Sequence, residues 1–386
     1  MDLTIRRQRR RLLWPCLALA GLAAVGGCST SSSSTGNGAP TANQATAVAG
    51  LAAAKAEVAT MSALPTSVGI TEPIKPTVAG KTVIYLECGI VNCKIHTDAL
   101  TSAFQALHVK LKVLESGLTP ESFKNALATA QSLHPDGVIY DAIPAAIAQG
   151  PADAMASEGI PVVAIAAPDL KESAHVVNEM GTSFFIRDGE TIADWTIADS
   201  GGHADTLYIS DPTLSFGPWL TQGLMGAFAK NCPGCSVSEL TTNPSEIGST
   251  LPSKIVSYLQ AHPGVKYIDA EYSALLTGLP AALSTAGISG IKTIGTGPTQ
   301  IDQQYMQAGQ ETAGLFASQG AMAYWAADTI ARLMTGEQPL PVVNNPPNLQ
   351  LLTASQITWN PGKTDYPYIP GWRHLFTKAW GAANGG

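Results

Sequence analysis

The sequence predicts an α/β protein of two Rossmann-like lobes, each built on a parallel sheet and joined to the other by hinge strands. Short β-branched runs at 82–86, 109–114, 137–140, 161–166, 206–210, 237–240, 265–270 and 291–295 alternate with helical stretches at 120–133, 145–158, 191–200, 216–230 and 252–261. Strand and helix recurring at about 25–30 residues is the rhythm of parallel strands joined by right-handed crossovers. Runs such as Pro161-Val162-Val163-Ala164-Ile165-Ala166 are apolar on both alternating faces, as strands covered by helices on two sides require. The regular region holds about three hundred residues, enough for two units with a core each. Two such units in succession leave a cleft, with ligands expected at the carboxyl ends of the strands.

Ahead of the first strand the chain reads differently. Arg6, Arg7, Arg9, Arg10 and Arg11 precede an apolar stretch at 12–25 and the small residues Gly26 and Gly27. A basic start, a short apolar run and small residues before the cut make a secretory signal, too short for a membrane span. Cys28, directly after the two glycines, resembles a bacterial lipobox, which implies a signal peptide over 1–27 and a lipid on Cys28. Arg9-Arg10-Arg11-Leu12-Leu13 loosely resembles a twin-arginine export signal, so the export route stays open. The run Ser29-Thr30-Ser31-Ser32-Ser33-Ser34 suits a tether, and 29–48 carry too little apolar surface to fold. Residues 28–80 are therefore expected to be a tether, with a weakly amphipathic alanine-rich helix at 47–64 and Pro65, Pro73 and Pro76 leading into the first strand. The expected lobes are 81–186 with 312–341, and 187–311 with 342–386.

Charge and cysteine usage agree with export. The chain carries 22 Lys and Arg against 29 Asp and Glu, a net charge of −7; loss of five arginines and one aspartate with the signal takes it to −11. No basic run remains, which argues against nucleic acid or anionic lipid as a partner. With Cys16 removed and Cys28 assigned to lipid, Cys88, Cys93, Cys232 and Cys235 are left. In an oxidising compartment such close pairs read as disulfides, Cys88–Cys93 and Cys232–Cys235. A shared zinc ion would need both pairs on one metal although they fall in different lobes. A redox role for Cys232-Pro233-Gly234-Cys235 would want the motif opening a helix, whereas it follows one.

Catalytic constellations are poor. Asp199-Ser200-Gly201-Gly202 matches a protease nucleophile string, yet two glycines after a helix are an ordinary stop signal. There is no Gly-x-Ser-x-Gly elbow and no Gly-x4-Gly-Lys loop. His96, His108, His134, His175, His203, His262 and His374 are scattered, none at helical ligand spacing to another. Neither an enzyme nor a metal or other cofactor is expected.

The order of segments resembles the type I periplasmic (solute) binding proteins of ABC importers, nearest to the ribose and simple-sugar binders, in lipoprotein form. The resemblance runs from about Lys81 to Pro341. It is carried by Lys81-Thr82-Val83-Ile84-Tyr85-Leu86, Pro135-Asp136-Gly137-Val138-Ile139-Tyr140, Gly159-Ile160-Pro161-Val162-Val163, Ala261-His262-Pro263-Gly264-Val265-Lys266-Tyr267 and Leu333-Met334-Thr335-Gly336-Glu337. It implies a receptor held outside the cytoplasm by its lipid, which captures a small solute between the lobes and delivers it to an ABC permease. A ligand-sensing lipoprotein that reports to a membrane receptor is the alternative.

The resemblance also implies site positions. After the first strand the family presents polar and aromatic groups, and here stand Cys88, Gly89 and Ile90. Asp141 and Ala142 follow the third strand, and Ala166-Ala167 replaces an Asp-Arg pair after the fourth. The second lobe offers Thr213, Phe216 and Trp219 where the family has an arginine, and no Lys or Arg lies between Arg187 and Lys230. Glu271, Tyr272 and Ser273 occupy the place of an Asn-Asp pair, and Thr296 that of an aspartate. A cleft of Ile90, Ala142, Ala167, Phe216, Trp219 and Tyr272, anchored by Asp141, Glu271 and Ser273, cannot saturate a polyhydroxylated ring. Each buried unpaired hydroxyl costs roughly 1–3 kcal/mol. A sugar-like or less polar ring compound, or an amine, is the expected solute. Beyond Pro341, Asn344-Asn345-Pro346-Pro347-Asn348 is expected to cross back to the second lobe, and Tyr366, Tyr368, Trp372, Phe376 and Trp380 to pack on a lobe surface.

Overall fold

The computed structural model describes residues 42–88, 91–117, 119–344, 346–361 and 366–381. The signal peptide, Cys28 and the serine run lie outside the described residues, as do Gly89 and Ile90. The chain opens with α1 (Ala42–Ser62) and then builds the first lobe from β1 (Thr82–Glu87), α2 (Val91–Ala106), β2 (Lys110–Glu115), α3 (Pro120–Ser132), β3 (Gly137–Asp141), α4 (Ala145–Ser157), β4 (Val162–Ile165) and β5 (Val176–Glu179). These five strands form one parallel sheet in the order β2-β1-β3-β4-β5. Alternate side chains serve opposite layers, as the two-residue period of a strand dictates. Val83, Tyr85, Ile139 and Val163 share a core with α2, while Ile84, Leu86, Val138 and Tyr140 pack with α3 and α4. Thr119 starts α3 with a reciprocal capping box to Ser122, and Pro120 fills the first helical position, where no amide donor is needed.

The second lobe follows with α5 (Thr182–Asp199), β6 (Asp205–Ser210), α6 (Gly217–Asn231), β7 (Ser236–Thr241), α7 (Leu251–Ala261), β8 (Tyr267–Ala270), α8 (Leu279–Thr285), β9 (Lys292–Gly295) and α9 (Gln300–Gln307). Its sheet runs β7-β6-β8-β9, all parallel. β10 (Ala313–Ala317) continues from β9 through a parallel bridge between Thr296 and Leu315. α10 (Gln319–Met334) then returns to the first lobe and packs on α2, β3, β4 and β5. β11 (Leu349–Thr353) pairs antiparallel with β10, and α11 (Trp372–Ala379) lies against α10 and α2. Helices α5 and α6 meet backbone to backbone. A Cβ on Gly189 would collide with the Leu220 carbonyl oxygen, and one on Gly223 with that of Ile186.

Both disulfides are present, with Cα separations of 5.8 Å for Cys88–Cys93 and 5.3 Å for Cys232–Cys235. The first ties the end of β1 to the first turn of α2, and the second staples the turn from α6 into β7. Three features differ from the sequence reading. β10, expected with the first lobe as part of 312–341, extends the second lobe's sheet beside β9. The alanine-rich segment is no tether: α1 docks on α5, α6 and β11, burying Ala54 and Met61. The stretch expected to belong to the second lobe, 342–386, is divided, with β11 on that lobe and α11 on the first.

Candidate functional site

Strands within each sheet point the same way, so their carboxyl ends form one edge per lobe. β5 leaves the first edge directly into α5 of the second lobe. β10 leaves the second edge into α10, whose first residue, Gln319, reaches His96 of the first lobe. The two edges therefore meet at the hinge, and the space between them is the cleft. On the first edge Ala142, Ala166 and Met180 follow β3, β4 and β5 immediately, with φ of 47°, 54° and 61°. Left-handed backbone costs a non-glycine residue roughly 1–2 kcal/mol, so three consecutive strand ends hold strained turns at the cleft.

Behind this edge lies a buried polar network. The Tyr85 hydroxyl donates to Asp141 Oδ2, and His96 Nδ1 lies 3.0 Å from both Asp141 oxygens. His96 Nε2 donates to Gln319 Oε1 at 3.0 Å. Burial alone would lower the His96 pKa; the Asp141 carboxylate and the two hydrogen bonds outweigh it and raise it. With Asp141 on one ring nitrogen and Gln319 on the other, the His96 ring is held between the end of β3 and the start of α10. Glu179, at the end of β5, is fully buried and neither carboxyl oxygen has a partner among the described residues. Burial, then the charges of Asp141 and Asp328, push its pKa well above its ordinary value.

The second edge is organised by Asp211, the buried residue after β6. Its Oδ1 accepts from the Thr213 amide at 3.0 Å and the Thr213 hydroxyl at 2.6 Å, and its Oδ2 accepts from the Tyr272 hydroxyl at 2.9 Å. Its own amide donates to Glu271 Oε2 at 2.6 Å. This aspartate-centred turn delivers Phe216 to the start of α6, where it stacks on Phe185 of α5 with ring centroids 5.0 Å apart and planes 13° apart. Trp219 follows one turn later, half-buried. Burial raises the Glu271 pKa to about 8; the Asp211 amide moderates the shift, and the charges of Asp211 and Glu239 add to it. Thr296 donates to Asp188 Oδ2 at 3.0 Å, and burial lifts Asp188 to about 7.

The expected residues thus fall on the two edges, at different depths. Ala142 and Thr213 are exposed, and Phe216, Trp219, Tyr272 and Thr296 are half-buried. Cys88, Asp141, Ala167, Glu271 and Ser273 are buried beneath the edge. Asp141 in particular commits its oxygens to Tyr85 and His96, so it pins α2 and α10 to the sheet instead of standing free in the cleft. Sequence reasoning missed Asp211, Phe185, Asp188, His96 and Gln319. Only Asp211 carried a local signal, an Asp-Pro pair directly after a strand. Among the described residues no cluster of metal-ligating side chains occurs, and no helix is long and apolar enough to cross a membrane.

The family model described as the periplasmic binding protein domain matches residues 96–338. No match is found among curated proteins. Among solved structures, a glucose-galactose binding protein from Geobacillus stearothermophilus superposes with a TM-score of 0.63 at 18% identity, over 73% of this chain and 99% of that chain. A 5-methylthioribose transporter solute binding protein from Thermotoga lettingae gives 0.61 at 16%, over 79% and 99%. A periplasmic ribose ABC transporter protein from Conexibacter woesei gives 0.62 at 18%, over 72% and 94%. At these identities the likeness is one of fold. Joined to a family match across most of both lobes, it shows that this chain belongs to the periplasmic binding proteins, of type I fold, a family whose members are not enzymes.

Proposed function

We propose that this chain is an extracytoplasmic receptor, anchored to the membrane through lipid on Cys28, which captures a neutral ring-containing solute of modest polarity and delivers it to an ABC permease. The observation that carries the solute class is the half-buried aromatic surface of Phe216, stacked on Phe185, with Trp219 one turn away. Such rings offer apolar faces to a ring of matching shape. The carboxyls argue for a neutral solute over an amine. Asp141 is paired with His96, and Glu271, with a pKa of about 8, is largely protonated at neutral pH. The polar anchors left at the edge are the hydroxyl oxygens of Thr213, Tyr272 and Thr296, which donate their protons to Asp211 and Asp188 and keep lone pairs to accept from a solute. 5-Methylthioribose, which the Thermotoga lettingae structure contains, has this character, a sugar ring carrying an apolar thioether.

A thermal-shift screen of the mature protein tests the reading, because a ligand that binds only the folded chain raises its melting temperature. The panel holds 5-methylthioribose, nucleosides, aromatic acids, amines, ribose and glucose. Stabilisation by the less polar rings is the expected result. Stabilisation by glucose and ribose alone, or by amines alone, would overturn the solute class.

A further inference from the structure

Both chain ends beyond the family match cross between the lobes, and we infer that together they form a strap behind the hinge that limits how far the cleft opens. The N-terminal arm begins on the second lobe. There α1 packs on α5, α6 and β11, with Gly50 so close to the Asn231 carbonyl that a Cβ would collide. Arg187 of α5 pairs with Glu57 at 3.5 Å, and Gln350 of β11 donates to the Ser62 carbonyl at 3.1 Å. Six residues further on, the arm is fixed to the first lobe. The Trp325 indole N–H of α10 donates to the Val68 carbonyl at 2.8 Å, and the buried Arg332 donates to the carbonyls of Glu72 at 2.5 Å and Pro73 at 3.5 Å. The linking residues Ala63, Leu64, Thr66 and Ser67 are exposed and pack on neither lobe's core.

The C-terminal arm makes the same crossing. It leaves β11 on the second lobe, where the Tyr366 hydroxyl donates to Gln350, the residue that also holds Ser62. It reaches the first lobe at α11, whose Trp372 and Phe376 pack on Tyr324. Trp380 then stacks on Tyr324 at 5.4 Å and donates its indole N–H to Asp328, the carboxylate that Arg332 grips at 2.9 and 3.1 Å. The Ile74 amide donates to the Trp380 carbonyl at 3.3 Å and joins the two arms. Six residues reach at most about 20 Å when fully extended. A rotation that carries Ser62 away from Val68 beyond that reach must break an anchor at one end or the other.

Spin labels on the full mature chain at Ser157→Cys of α4 and Thr285→Cys of α8 report the distance between lobes. A protease recognition sequence inserted between Thr66 and Ser67 lets the strap be lengthened and then cut in the same molecule. Without added solute, the distance distribution should lengthen and broaden on insertion, and again on cleavage. Trp325→Phe, which removes the indole donor, should shift it in the same direction by less. One unchanged distribution for parent, insertion and cleaved protein would overturn the strap. So would loss of cooperative unfolding on cleavage, which would make the arm part of the core.

Discussion

His96 places Nδ1 3.0 Å from both oxygens of Asp141 while its Nε2 meets Gln319 at 3.0 Å, so one imidazole ring joins α2, β3 and the first residue of α10. Removing one member of a buried ion pair leaves the other charged and alone, at a cost of about 3–5 kcal/mol. His96→Ala should lower the unfolding free energy measured by urea denaturation by that amount. Asp141→Asn should destabilise comparably, and before any solute is added. An affinity loss at unchanged stability would instead return Asp141 to the cleft surface.

The buried carboxyls make stability depend on pH in an unusual direction. Burial raises Asp269 to about 8; it also raises Glu271 to about 8 and Glu311 to about 9, with like charges adding to the last two. Each holds a proton in the folded chain that the unfolded chain releases near pH 4. Their stabilising contribution is therefore complete below the unfolded carboxyl range and is lost as pH climbs through 8 and 9. His96, also raised, acts in the same sense above its unfolded pKa. The melting temperature should be higher at pH 5 than at pH 9, and Asp269→Asn should flatten the slope. A melting temperature that rises over this interval would contradict the assignment.

For the cleft, Trp219→Ala and Phe216→Ala should each weaken binding of a solute found in the screen by about ten- to a hundredfold. That corresponds to roughly 1–3 kcal/mol of lost apolar area and ring contact. Titration of tryptophan fluorescence with the parent should respond through Trp219, and calorimetry of the variants gives the affinities. Unchanged affinity in both variants would place the solute elsewhere.

The α5–α6 contact should tolerate no side chain at its crossing. Gly223→Ala forces the helices apart against the Ile186 carbonyl, and overpacking of this kind costs about 1–3 kcal/mol. Gly226→Ala, on the same helix with open space around it, serves as the control and should hold or gain stability.

Cys28→Ala should release the protein from membranes in fractionated cells or stop its maturation. Continued cofractionation, with the parent's mass, would refute the lipid anchor.

Much of the architecture is readable from the chain because the central strands are apolar on both faces. Residues 137–140 and 161–166 need no tertiary information to be recognised. β5 escapes because Asn178 and Glu179 end it with polar side chains. The first half of α5 escapes for a related reason. Arg187, Asp188 and Glu190 surround Gly189, a sequence that reads as a loop until Gly189 is seen to admit α6. The same blind spot governs the site. Asp141 looks like a ligand anchor by its place after a strand, and only the partner 45 residues earlier, His96, shows that its charge is already spent. The docking of α1 is illegible because alanine faces carry almost no hydrophobic contrast between their two sides.

That docking has a consequence for how the chain bears load. α1 is seated on α5, α6 and β11, with Gly50 against the Asn231 carbonyl and Glu57 paired to Arg187. A pull applied to the chain at Ala42 is therefore taken up first by the second lobe, and it reaches the first lobe only through Val68 and the residues that follow it.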